Sequence, residues 1–282
     1  MNEAAAGFTA GLIGTIVTHP LDVIKTRLQI HRGALPLGAS LHLVPWPSLY
    51  RGLSTNLVGN TVAWALYFSL YDAAKKMAAG RGGESRPLTS VDVLLASAGA
   101  GLITSVCTNP IWVIKTRLLS TDASATSSYH GLRDGIVRIT REEGWRGWYR
   151  GLVPSMFGVT HGAIQFMVYE RLKQASARRH PERDASNMEY VAMSALAKVV
   201  AGVVTYPYQV LRSRLQIHGA QHVYPSLRGT IRDMIRLEGI HGFYKGLLPN
   251  LLRVLPNTCI TFLVYERSRR YYAREKEPTH EL

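Results

Sequence analysis

The 282-residue sequence predicts an all-α membrane protein with six transmembrane helices in three pseudosymmetric two-helix repeats around a central cavity. Three observations carry that prediction. A proline-led octet occurs three times, as Pro20-Leu-Asp-Val-Ile-Lys-Thr-Arg27, Pro110-Ile-Trp-Val-Ile-Lys-Thr-Arg117 and Pro207-Tyr-Gln-Val-Leu-Arg-Ser-Arg214, each with a threonine (Thr18, Thr108, Thr205) two residues ahead. Its spacings of 90 and 97 residues divide the chain into repeats 1–80, 88–178 and 187–275, and repetition of this kind dictates architecture before any local reading. Six long runs carry at most one charge each, in a chain that is 46% hydrophobic and only 18% charged.

Taken in order, the runs are Ala4–Thr18, Leu53–Tyr71, Val93–Ile114, Gly151–Tyr169, Val191–Leu211 and Gly246–Tyr265. They approach the ~20 residues that a helix needs to cross a bilayer core. Strands of this length would leave unpaired backbone groups in lipid, so helices are the spanning element. Six spans place both termini on one side. Between spans, Leu132, Ile136 and Ile139, and again Leu227, Ile231 and Ile235, form apolar faces opposite charged ones, which predicts short helices lying in the interface. In the first repeat Tyr50 comes only 23 positions after Arg27, against 32 and 30 in the others, and its Pro45-Trp-Pro47 is poor helix material.

A net charge of +14 suits nucleic acid or an anionic membrane surface. The charges cluster at run ends and in connections, which selects the membrane and argues against nucleic acid. Cys107 and Cys259 lie inside apolar runs with no metal or redox spacing and are expected to pack as small hydrophobes. No nucleophile, metal cluster or acid/base pair has the spacing of an enzyme site, so no cofactor is expected. The start, Met1-Asn-Glu-Ala, lacks the basic region of a cleaved presequence.

The odd spans end in the proline motif; the even spans end in Tyr71-Asp-Ala-Ala-Lys75, Tyr169-Glu-Arg-Leu-Lys173 and Tyr265-Glu-Arg-Ser-Arg269. Asp22 and Lys25, like Asp72 and Lys75, are three residues apart and share a helix face. Three units closed around an axis would gather these faces into one ring of ion pairs at each end, and Pro20, Pro110 and Pro207 would kink the odd helices toward the axis. Two charged rings around a cavity make two gates.

With these motifs and the aromatic-base-glycine triplets Tyr50-Arg-Gly52, Tyr149-Arg-Gly151 and Tyr244-Lys-Gly246, the sequence resembles the mitochondrial carrier family along its whole length. The resemblance implies a monomeric six-helix bundle in the mitochondrial inner membrane, with termini toward the intermembrane space and a small metabolite carried through one central site. It also implies cardiolipin at the helix starts beside Arg51, Gly52, Arg150, Gly151, Lys245 and Gly246, where backbone N–H groups and a base suit a lipid phosphate. In the matrix gate, Asp22 keeps the acid while Trp112 and Gln209 replace it. The expected pair is Asp22 with Lys115, leaving Lys25 and Arg212 without carboxylates, and Gln29 and Gln216 would brace the ring where Leu119 cannot. The opposite, cytoplasmic gate has its full set: Asp72, Glu170 and Glu266 against Lys75, Lys173 and Arg269.

Substrate residues are sought where the repeats differ. Nine residues before each proline stand Gly11, Gly101 and Lys198. A lysine inside a span points to a site, with Glu189 or a substrate phosphate as partner, or else it snorkels to the surface. Family contact points fall at Gly59-Asn60, Phe157-Gly158 and Arg253, where Arg253 would grip a phosphate or carboxylate. Gly59 and Gly158 either leave room for a bulky ligand or let helices pack closely. Trp64 and Trp112 either stack on a flat ring or fill space. Pro110-Ile-Trp is similar to the family branch that carries pyrimidine nucleotides, NAD, FAD and folates, and Thr205-Tyr-Pro-Tyr-Gln to that branch's flavin and folate members. The expected cargo is therefore FAD or a related flavin, with folate next, then NAD or pyrimidine nucleotides, and a carrier-fold adaptor without transport as the reading from another class.

Overall fold

The computed structural model describes residues 2–31, 46–80, 88–121, 129–179, 183 and 185–254, and every regular element among them is helical. The long helices are α1 (Asn2–Ile30), α2 (Leu53–Gly80), α3 (Ser90–Ser120), and later α7 (Asn187–Gln216). The short helix α4 (Leu132–Glu142) follows α3, and α8 (Leu227–Glu238) follows α7. The fourth run is split at Phe157 into α5 (Leu152–Met156) and α6 (Gly158–Arg179). The sixth run is helical over 247–254, and its remainder lies outside the described residues. So does residue 32–45 of the short first connection, which ends in the 3₁₀ turn Trp46–Tyr50.

Sequence accounts for the helix starts. Thr89 and Asp92, and Ser186 and Glu189, form reciprocal capping boxes that open α3 and α7. Pro20, Pro110 and Pro207 stand inside α1, α3 and α7, which continue well beyond them. The threonine two residues earlier turns its hydroxyl back to a carbonyl: Thr18 to Gly14, Thr108 to Thr104, Thr205 to Ala201, at 2.7, 2.8 and 2.6 Å. Such back-bonding occupies the chain's own carbonyls at the place where proline interrupts the ladder. Two helices, Val91–Ser120 and Met188–Gln216, are by themselves long and apolar enough to cross a membrane. The others dilute their apolar runs with polar side chains such as Asn56 and Asn60 in α2. Large apolar groups including Trp64 and Phe68 of α2, Leu95 of α3, and Phe166 and Met167 of α6 remain exposed.

The core sits at the proline end. Val23, Ile24 and Leu28 of α1 pack with Val113, Ile114, Leu118 and Leu119 of α3 and Ile139 of α4. In the short helices the expected face is only partly buried: Ile139 enters the core and Leu132 packs against it, but each buried face is centred beside the expected one. Gly135 and Ile139 in α4, and Thr230 and Met234 in α8, are buried, while Ile136 and Ile235 are exposed. Small Gly135 allows that close approach, since a Cβ there would lie 2.8 Å from Ile114. Cys107 is exposed rather than packed inside.

Three-fold closure is visible in two contacts made three times. The final arginine of each octet donates through Nε to a carbonyl at the end of the next odd helix: Arg27 to Leu119 (3.2 Å), Arg117 to Gln216 (3.1 Å), Arg214 to Gln29 (2.9 Å). The triplet glycines, all at positive φ, wedge against the same neighbours. A Cβ would lie 2.7 Å from Leu119 Cδ1 at Gly52, 3.1 Å from the Arg212 carbonyl at Gly151, and 2.8 Å from the Lys25 carbonyl at Gly246. Only glycine combines that backbone with that proximity. The third unit thus closes on the first.

Candidate functional site

A cavity of about 410 Å³ opens beside the proline octets, walled by α1, α2, α3, α6, α7 and the 247–254 helix. Among the described residues, four cations, Lys25, Lys115, Arg212 and Arg253, line it together with one carboxylate, Asp22. Asp22 is engaged from two sides: Arg253 Nη1 donates to Oδ1, and Lys115 Nζ stands 3.9 Å from Oδ2. Lys25 donates to Gln209 Oε1 at 3.0 Å and to Asn250 Oδ1 at 2.8 Å. Arg212 lies over the Trp112 ring, 5.6 Å from its centroid, and Lys115 at 5.1 Å. Trp112 is fixed by its own Nε1–H, which reaches Thr108 Oγ1 at 3.1 Å. The ring that sequence expects with one acid is therefore assembled from one acid, one glutamine, one asparagine and an indole face.

Gln29 and Gln216 line the same cavity as Asp22 and Lys115. Gln29 accepts from Ser213 (2.6 Å) and donates to Tyr206 Oη (3.1 Å), tying α1 to α7. Gln216 accepts from Thr116 (2.9 Å) and donates to the Arg150 carbonyl (3.3 Å), tying α7 to α3 and the fourth run. Leu119 is buried in the apolar core.

Of the other candidates, Asn60 and Gly158 line the cavity. Gly59 lies outside it, with a Cβ position 3.1 Å from Ile111 Cγ2, so this glycine serves helix packing. Phe157 and Trp64 are exposed, and Trp64 stacks on Phe68 at 5.6 Å. Lys198 is half-buried and outside the cavity lining. Its expected partner Glu189 caps α7 and pairs with Arg183 at 2.6 Å instead, because the capping geometry holds that carboxylate at the helix start.

The tyrosine end differs. Asp72 pairs with Lys76, one turn on, at 2.8 Å, and not with Lys75, whose ammonium lies over the Tyr71 ring. Glu170 and Lys173 enter no ion pair among the described residues, and Glu266 and Arg269 lie outside them. The linker bases face protein: Arg51 donates to the Thr121 and Tyr129 carbonyls, Arg150 lies 3.4 Å from Glu143, and Lys245 2.5 Å from Glu238.

Sequence reading missed the residue just before each proline. His19, Asn109 and Tyr206 are fully buried, and each reaches the carbonyl of the residue preceding a triplet glycine: Arg51 (3.0 Å), Arg150 (3.3 Å) and Lys245 (3.1 Å). Their chemical difference hid the shared role, although all three are hydrogen donors in apolar runs. It also missed Glu143 and Glu238 as partners of the fully buried Arg117 and Arg214, each pair at 2.7 Å.

The family model for mitochondrial carrier proteins matches three times, over residues 1–82, 86–180 and 183–276. The chain belongs to the mitochondrial carrier family. Its members are transporters, which fits a polar cavity enclosed by helices. The carrier is 38% identical to the mitochondrial FAD carrier protein FLX1 of Saccharomyces cerevisiae, over 94% of each chain. It is 39% identical to the chloroplastic folate transporter 1 of Arabidopsis thaliana, over 94% of this chain and 93% of that one. Against the mitochondrial nicotinamide adenine dinucleotide transporter 2 of Arabidopsis thaliana it is 37% identical, over 96% and 79%.

Proposed function

We propose that this carrier moves FAD, or a closely related flavin, across the mitochondrial inner membrane by alternating access through the cavity described above. The observation that carries the proposal is four cations and one carboxylate on a wall that also presents the Trp112 indole. A diphosphate joined to a flat ring system meets both features, since guanidinium and ammonium groups take phosphate oxygens and an indole face takes a ring. The yeast FAD carrier at 38% identity supports the same cargo. Six spans, termini toward the intermembrane space, a monomeric state and cardiolipin at the glycine linkers belong to this reading. So does its gating: with the proline end tied together and Asp72 paired within its own helix, the cavity faces the intermembrane space. Cargo phosphates then compensate the cations as the proline-end contacts separate. Lys198 stands nearby as a further anion contact on α7.

Folate is the second reading, because carboxylates suit the same cations, a pteridine suits the same indole, and the Arabidopsis folate transporter is equally similar. Uptake into cardiolipin-containing liposomes tests both, with FAD, FMN, riboflavin, a reduced folate, NAD and UTP compared at equal concentration. Saturable FAD uptake that is lost in Arg253→Ala supports the proposal; folate uptake without FAD moves the cargo to the second reading. A folded protein that carries none of them favours the adaptor reading.

A further inference from the structure

We infer that Asp22 is a built-in competitor of the cargo: its carboxylate occupies Arg253 in the empty carrier, and an anion must displace it to bind. This rests on the reading of the cavity as an anion site. Asp22 is the sole carboxylate lining the cavity among the described residues, and it is 10% exposed as a side chain. It meets Arg253 directly but stands 3.9 Å from Lys115, beyond hydrogen-bond reach. The nearer partner is thus the arginine of the sixth run, and the more distant one is the lysine of α3. Lys25, the base on Asp22's own helix face, turns away to Gln209 and Asn250.

Two consequences follow from that geometry. First, Asp22 satisfies the Arg253 guanidinium while the cavity is empty, so cargo affinity is the difference between two anions on one arginine. Second, Asp22–Arg253 is the ion pair that joins the sixth run to α1 among the described residues. Cargo phosphate or carboxylate taking Arg253 removes that tie and leaves Asp22 facing Lys115 alone. Cargo binding thus also weakens the contact between α1 and the sixth run, where the Lys25–Asn250 hydrogen bond remains, and a neutral solute of similar shape cannot cause this. Asp22 is therefore a specificity-determining residue as well as a gate residue.

A pure gate role and the competitor role give different signs. If Asp22 and Lys115 acted only as a gate pair, Asp22→Asn and Lys115→Gln would change cargo affinity alike. Competition predicts that Asp22→Asn binds FAD about tenfold tighter, the equivalent of roughly 1.4 kcal/mol, while Lys115→Gln does not bind it tighter. Titration of FAD onto the purified full-length carrier in detergent with cardiolipin reads this directly. Unchanged or weaker binding in Asp22→Asn, or equal tightening in Lys115→Gln, overturns the inference. A cargo-independent arm keeps it separate from the choice of FAD. In a double-mutant cycle of Asp22→Asn and Arg253→Gln, followed by unfolding temperature without ligand, the two changes are expected to be non-additive. Additive shifts overturn the inference even where FAD is the wrong cargo, whereas wild-type protein that ignores FAD but shows coupling overturns only the cargo.

Discussion

At the proline end, Arg117 and Arg214 are buried and bind partners on other elements; at the tyrosine end, the described pair Asp72–Lys76 is exposed and stays within one helix. Arg117 and Arg214 are 0% and 1% exposed, each held by a glutamate of the following connection and by a carbonyl of the next odd helix. Asp72 and Lys76 are 54% and 78% exposed and span a single helical turn. Both ends carry bases in all three repeats, although the proline octets keep an acid only at Asp22 and the tyrosine motifs keep one in each repeat. The difference teaches that placement and burial, more than charge identity, decide whether an ion pair locks a structure. An exposed pair is screened and pays side-chain entropy, whereas a buried one that loses a partner strands a charge.

The strongest way to break the contrast is to strand the buried arginines. Glu143→Gln and Glu238→Gln are each expected to lower stability by about 3 kcal/mol, seen as a large fall in unfolding temperature in detergent with lipid. Glu170→Gln at the other end should leave that temperature unchanged. A smaller effect comes from the glycine wedges. Gly246→Ala, at φ +79° and 2.8 Å from the Lys25 carbonyl, should cost roughly 1–3 kcal/mol, while Gly162→Ala, with nothing within 4 Å, should not destabilise.

The contrast sharpens further with pH. Burial alone would raise the Glu238 carboxyl, but hydrogen bonds from Arg214 and Lys245 outweigh it and hold its pKa below the ordinary 4.5. A depressed carboxyl adds stability that is present above that ordinary value and lost as pH falls through the folded-state value. Unfolding temperature of the wild type should thus be flat near neutrality and decline in acid, with a shallower acid decline in Glu238→Gln. The smallest effect is expected for Lys76→Gln, which should leave unfolding temperature and cargo affinity alike.

Repetition made most of this architecture legible. The octets, the tyrosine motifs and the glycine triplets marked the repeats and their two ends; the closing contacts of the octet arginines and triplet glycines, made once per repeat, left three copies of their residues in the sequence but not their partners. What resisted reading was asymmetric or chemically disguised. Asp22 and Arg253 are separated by 231 residues and belong to different motifs, so nothing in either motif announces their pairing. His19, Asn109 and Tyr206 do one job with three side chains. The faces of α4 and α8 depended on Gly135 and Thr230 being small enough to approach neighbouring helices, a property that hydrophobic periodicity does not register. Gly59 and Gly158 look equivalent in sequence, yet one meets Ile111 and the other borders the cavity.

The seam between the third repeat and the first is built from the same parts as the two seams within the chain: an octet arginine on a carbonyl, and a triplet glycine against an odd helix. Spatial neighbourhood in this molecule is therefore cyclic, while covalent order is linear, and the two are separable. A circularly permuted gene that begins at residue 88 and carries residues 1–80 after the third repeat preserves every one of these seams. Which repeat is synthesised first is a matter of connectivity; which repeat stands beside which is written into the contacts.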